Sequence, residues 1–176
     1  MFSKALRAEA EKLIADLRQR GAKMTTAESC TGGLIAGLLT EIAGASEVVD
    51  RGFVTYSNAS KMQMLGVSGE LLARFGAVSR EVAIAMAEGA LIRAAVDVSV
   101  AVTGVTGPGG GTDAKPVGLV HIAAGRSGAP TLHAECRFGA VGRTEVRLQA
   151  IGAALALVQR ALAQTGETDA AQGARP

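Results

Sequence analysis

Thr25-Thr26-Ala27-Glu28-Ser29-Cys30-Thr31-Gly32-Gly33 runs directly into the apolar stretch Leu34-Ile35-Ala36-Gly37-Leu38-Leu39. That order reads as the end of a strand, a tight turn and the start of a helix. Glycines in such a turn let the backbone approach a ligand, and the first helical N–H groups have no partner within the helix. The turn can hold an anion, or present a nucleophilic Ser29 beside backbone donors that stabilise an oxyanion. It can also be purely structural, with Ser29 or Thr31 capping the helix. The local sequence leaves both uses open.

The remaining chain is built to support such a unit. Its 176 residues are most economically one domain, long enough to bury about 70% of the unfolded surface. Aromatics make up only 3%, with no Trp and a single Tyr, Tyr56, so the core has to be Ala, Val, Leu and Ile. A net charge of +2, with Lys and Arg dispersed and few aromatics to stack on bases, argues against a nucleic-acid surface. Cys30 and Cys136 stand far apart without CxxC spacing, which disfavours a zinc site or a disulfide framework and fits reduced, cytoplasmic thiols. The N-terminus lacks an apolar signal region and no apolar run approaches about 18 residues, so neither export nor membrane insertion is expected.

Taken in order, residues 3–20 predict a helix with Leu6, Leu13, Ile14 and Leu17 on one face and Gly21 as its stop. A strand over 23–27 leads into the glycine turn and a second helix ending near Gly44. Residues 52–57 predict a strand, and a short helix follows from Asn58, capped by Ser57 or Asn58. Gly66 and Gly69 punctuate the next stretch. A longer helix runs from Ser79 to about Ala95, and 98–103 is an apolar run of buried-strand length. Residues 104–113 are a glycine-built loop. Segments 117–124 and 131–138 predict a hairpin, and 145–163 a last helix with Val146, Ile151, Leu155, Val158 and Leu162 inward. Residues 1–163 thus form the folded domain, and 164–176, polar and rich in Ala and Gly, a disordered tail. Alternating strands and helices with one late hairpin imply an α/β layered fold with a mixed sheet.

Three loops follow strand ends: 28–33, 56–61 and 103–113. Ligands of open α/β sheets bind outside the carboxyl ends of the strands. If these strands are parallel neighbours, Ser29, Tyr56, Lys61 and Thr103 meet in one cleft. His121 and His133 lie inside predicted strands, form no close motif with Ser29, and read as surface or packing residues. No HExxH, acidic cluster or GxxxxGK[ST] occurs, so neither a metal nor a P-loop mechanism is expected. Lys61 remains as a base for Ser29, or else as a solvated helix residue. An ordinary lysine is neutral only about once in 2,500 at pH 7, so a basic Lys61 has to be desolvated or placed near another cation. Cys30 is the rival nucleophile, or a small buried hydrophobe. Tyr56 either hydrogen-bonds a substrate or Lys61, or packs at a strand end.

Four ordered motifs carry a resemblance: 26–33, then 52–58 with Lys61, then Gly76-Ala77-Val78-Ser79, then Val102-Thr103-Gly104 with Gly107-Pro108-Gly109-Gly110. Together they resemble the CinA C-terminal domain family, that of bacterial nicotinamide-nucleotide amidohydrolase, over roughly residues 9–162. The resemblance implies a three-layer α/β/α sandwich in a single domain. It implies hydrolysis of the carboxamide of nicotinamide mononucleotide to nicotinate mononucleotide and ammonia, without metal or other cofactor, by a Ser/Lys mechanism. By motif, Ser29 would be the nucleophile, Lys61 its base, and Tyr56 an assisting residue. Glu28, Thr31, Gly32, Gly33, Thr103, Gly104, Gly107 and Gly109 would contact substrate, and Arg143 would hold its phosphate. The chain departs from the family in carrying Gly142 where an acidic residue usually precedes this arginine, so Arg147 is a second candidate. It also has no large N-terminal domain, which likens it to the stand-alone deamidases. The partners implied are the small-molecule substrate and a second copy of the chain, a dimer being favoured, with no nucleic acid and no membrane. The rival class is a non-catalytic nucleotide-binding or regulatory module, in which the loops hold a phosphate and Ser29 is a cap.

Overall fold

In a computed structural model, which describes residues 2–164, strands and helices alternate as their periodicity requires. Helix α1, Lys4–Arg20, starts at Ser3, whose hydroxyl accepts the Leu6 N–H at 3.2 Å, and stops at Gly21. Strand β1, Met24–Glu28, feeds the glycine turn and helix α2, Leu34–Thr40. A short 3-10 turn, Ala45–Glu47, precedes strand β2, Val49–Val54. Helices α3, Asn58–Leu65, α4, Gly69–Phe75, and α5, Arg80–Ala94, follow. Strands β3, Val98–Gly104, β4, Leu119–Arg126, and β5, Ala129–Arg137, lead to helix α6, Arg143–Ala163.

The five strands form one sheet in the order β2-β1-β3-β4-β5. Strand β1 runs parallel to both β2 and β3, while β4 and β5 are antiparallel additions. The condition set by the sequence is therefore met: the loops leaving β1, β2 and β3 emerge along one edge of the sheet.

Side-chain size separates the two faces. Val98, Val100 and Val102 of β3 and Val120, Ile122 and Ala124 of β4 pack with α1, α2 and α6. The alternate residues Ala27, Ala101 and Ala123 face α5 with Leu65, Val67 and Leu72. Alanine on that face lets α5 lie close, and Ser99 Oγ donates to the Ala87 carbonyl at 2.7 Å within the contact. The result is a three-layer α/β/α sandwich with a mixed sheet.

Several boundaries differ from the sequence reading. Helix α2 ends at Thr40 rather than near Gly44. Strand β2 begins and ends three residues early, although the Thr55 N–H still bonds the Glu28 carbonyl at 2.8 Å. Helix α4 was not expected, since Gly66 and Gly69 read as breaks; Ser68 caps it by accepting the Leu71 N–H at 3.0 Å. Helix α6 is long and apolar enough to cross a membrane by length and composition, contrary to the expectation that no run approaches that limit. Its inward face, with Val146, Ile151, Leu155, Val158 and Leu162, is spent on the core. The expected tail lies, from residue 165 on, outside the described residues.

Candidate active site

Strand β1 is buried along its whole length, so whatever leaves its end is rigidly placed. Glu28, its last residue, is fully buried. Its carboxylate accepts N–H bonds from Gly33 and Ile35 at 3.0 Å each and from Ala36 at 2.9 Å, and the Thr26 hydroxyl at 3.2 Å. A buried carboxylate needs such donors, and the first turn of α2 needs such an acceptor. Gly33, the residue before α2, has φ 94 and no side chain with which to cap it. Capping therefore falls to Glu28, which does not itself line the cavity. It also settles what the turn leaves unused: neither Ser29 nor Thr31 caps the helix.

Thr31, Gly32 and Gly33 shape the turn instead of lining the cavity beside it. Thr31 is fully buried, and its carbonyl accepts from Arg147 Nη2 at 2.6 Å. Gly32 takes φ 63, and a Cβ there would stand 3.1 Å from the same guanidinium nitrogen. Arg147, put forward as a phosphate ligand, is thus engaged with the turn from behind.

Ser29 is 8% exposed, and its N–H is tied to the Val102 carbonyl of β3 at 2.9 Å. Its Oγ lies 3.0 Å from Lys61 Nζ. Lys61 sits one turn into α3, whose start is fixed by reciprocal bonds between Ser57 and Ser60. The lysine is 1% exposed, and its Nζ also meets the carbonyls of Thr55 at 2.8 Å and Tyr56 at 3.4 Å. The ion pairs among the described residues are all elsewhere, at the surface. Burial pushes the Lys61 pKa below its ordinary 10.5, and nearby Cys30 opposes this only in smaller measure. A neutral amine has two hydrogens and one lone pair. Lys61 Nζ has three acceptors within reach, the Ser29 hydroxyl and two carbonyls. Were it neutral, the carbonyls would take its two hydrogens and its lone pair would meet the Ser29 hydroxyl, the arrangement a general base requires.

Cys30 is also buried beside the cavity, and burial pushes its pKa to about 12. A thiol held protonated is a poor nucleophile, which weighs against the Cys30 alternative. His121 is buried and pairs with His133, Nδ1 to Nε2, at 3.0 Å, and neither lines the cavity that Ser29 and Lys61 border.

The cavity has a volume of about 300 Å³ and is lined by Ser29, Lys61, Tyr56, Thr103, Gly104, Gly107, Gly109 and Arg143, among others. Tyr56 is 67% exposed at its rim; the carbonyl of this residue, not its phenol, contacts Lys61. Thr103 is buried, with its hydroxyl donating to the Ala77 carbonyl at 2.8 Å. Arg143 is exposed at the first turn of α6. The lining also includes Val105, Thr106 and Gly110 of the loop expected to contact substrate, and Ala77 and Val78, which the sequence did not single out as site residues. Only the motif 76–79 hinted at Ala77 and Val78, whose small apolar side chains carry no chemical signal of their own. Among the described residues no group of three or more His, Cys, Asp or Glu is placed to hold a metal ion.

Comparison with known proteins follows the same outline. The CinA C-terminal domain, as a family, matches residues 6–162. The nicotinamide-nucleotide amidohydrolase PncC of Escherichia coli K12 is 51% identical over 140 residues, which span 79% of this chain and 84% of that one. A putative competence-damage inducible protein of Caldicellulosiruptor saccharolyticus is 54% identical over 112 residues, 64% of this chain but only 27% of that longer protein. Among solved structures, the competence/damage inducible protein CihA of Agrobacterium tumefaciens superposes with a TM-score of 0.90 at 54% identity, covering 93% of this chain and 99% of that one.

Proposed function

The chain belongs to the CinA C-terminal domain family, and from that premise we propose that it is an amidohydrolase of the pyridine nucleotide salvage cycle. It converts nicotinamide mononucleotide to nicotinate mononucleotide and ammonia, with residues 1–163 as the hydrolase domain working in the cytoplasm. The observation that carries the reading is the buried Lys61–Ser29 contact of 3.0 Å at a cavity of nucleotide-binding size. The extent of the match to the Escherichia coli amidohydrolase supports the choice of substrate.

In this mechanism Ser29 Oγ attacks the carboxamide carbon while its proton passes to Lys61 Nζ. Backbone N–H groups of the glycine loops stabilise the tetrahedral oxyanion, an interaction worth about 3 to 4 kcal/mol per donor. The intermediate collapses, Lys61 returns the proton to the leaving nitrogen, and ammonia departs from an ester on Ser29. Water then attacks the ester with Lys61 again as base, and the proton goes back to Ser29 as nicotinate mononucleotide is released. Arg143 meets the phosphate with its planar fork, helped by the loop amides around Gly107 and Gly109. Tyr56, at the rim, contacts the bound nucleotide. No metal takes part.

Incubating the purified protein with nicotinamide mononucleotide and EDTA tests the assignment. Equimolar nicotinate mononucleotide and ammonia are expected. Binding without either product would make the chain a nucleotide-binding module instead.

A further inference from the structure

One wall of the cavity is formed by Ala77 and Val78 in the connection from α4 to α5, and another by the glycine loop between β3 and β4. Three consecutive carbonyls of that connection are each taken by a side chain. Phe75 accepts from Lys115 Nζ at 2.6 Å, Gly76 from Ser79 Oγ at 3.0 Å, and Ala77 from Thr103 Oγ1 at 2.8 Å. Ser79 and Thr103 belong to the rigid start of α5 and end of β3. Lys115 alone reaches across from the loop.

Its position is built on both sides. Phe75 ends α4, so its carbonyl is one of the acceptors a helix terminus leaves open, and a lysine completes it with a charge-assisted bond. Gly76 takes φ 72 and ψ 161, and a Cβ on it would stand 2.8 Å from Lys115 Nζ. That backbone is open essentially to glycine only, and here the missing side chain also leaves room for the ammonium. Within the loop, the Thr112 N–H donates to the Lys115 carbonyl at 2.9 Å. The Lys115 N–H returns bonds to the Thr112 carbonyl at 3.1 Å and hydroxyl at 3.0 Å. Residues 108–114 are otherwise exposed, so little else packs this stretch down.

We propose that Lys115 is a positioning residue whose ammonium clasps the glycine loop to the end of α4 and so sets the width of the nucleotide site. Gly107, Gly109 and Gly110 then keep their distance from Ala77 and Val78 without any help from bound substrate. The kinetic consequence rests on the amidohydrolase reading; the structural one does not.

The test uses the full chain with Lys115→Met, Lys115→Arg and Gly76→Ala. Amide hydrogen exchange over residues 106–118 reads the clasp directly. In Lys115→Met that exchange is expected to speed up about tenfold, and KM for nicotinamide mononucleotide to rise about tenfold, as loss of one charge-assisted bond would give. The value of kcat should stay within about threefold, since Ser29 and Lys61 are untouched. Lys115→Arg should recover part of both changes, and Gly76→Ala, which displaces the same ammonium, should reproduce them. Exchange in Lys115→Met equal to wild type, or a lowered melting temperature with KM unchanged, would overturn the proposal. If wild type releases no ammonia, the amidohydrolase reading fails, and the exchange comparison still decides the clasp.

Discussion

A guanidinium in place of the Lys61 amine would keep a positive charge beside Ser29 and lose the base. Arg does not deprotonate in proteins, so Lys61→Arg and Lys61→Met should both lower kcat by about 10²- to 10⁴-fold, the range of one general base. In wild type, kcat/KM should climb with pH as Lys61 gives up its proton, with a midpoint below the ordinary 10.5 because burial disfavours the ammonium. A flat profile from pH 6 to 10 would count against Lys61 as the base. Cys30 makes the contrasting case. Its buried, protonated thiol is a neighbour of the chemistry and not a participant, so Cys30→Ala should keep kcat within about threefold of wild type. An inactive Cys30→Ala beside an active Ser29→Ala would reverse the two roles.

At the level of elements, the turn between β1 and α2 shows what a sequence discloses and what it hides. The spacing of 28–33 at a strand end made Ser29 a candidate nucleophile beside a capping reading, and the place of Lys61 after the next strand made it a candidate base. Only the family resemblance chose between the alternatives. The work of Glu28 was not legible. Its acceptors' partners are backbone N–H groups as far on as Ala36, eight residues away, and an amide carries no residue code. Glu28→Ala would leave three N–H groups at the start of α2 without acceptors, at about 1 to 3 kcal/mol each. A large drop in the denaturant midpoint, together with loss of activity, is therefore expected. The missed α4 has a similar cause. Gly69 opens that helix at a position where glycine reads as a break, and only the Ser68 cap signals otherwise. Helix α6 was legible from its periodicity. Leu155, fully buried on its inner face, should cost about 2 to 5 kcal/mol when cut to Ala, measured by urea unfolding.

Across the whole molecule, the strand order β2-β1-β3 turns three separate sequence motifs into one site, and the antiparallel β4 and β5 extend the sheet away from it. The α/β layering was readable from alternation. The sheet order was not, since parallel neighbours leave no local signature. That extension carries a pH dependence of its own. The rings of His121 and His133 have centroids 5.3 Å apart at an interplanar angle of 24°, with His121 Nδ1 and His133 Nε2 within hydrogen-bonding distance at 3.0 Å. Burial lowers both pKa values from 6.5, and the His121 charge and Arg80 lower that of His133 further. A depressed pKa means that the unfolded chain binds protons first. Stability is thus full above about pH 6.5 and falls as the pH drops through the folded-state values. Urea midpoints at pH 8 and pH 5 should show that loss in wild type and a smaller one in His133→Gln.

The most direct test of the central claim is ammonia release from nicotinamide mononucleotide by wild type, Ser29→Ala and Lys61→Met, with nucleotide binding measured in parallel. Turnover in wild type alone, with binding kept in all three proteins, is the predicted result. Turnover that survives in Ser29→Ala would contradict it and move the chemistry to another group.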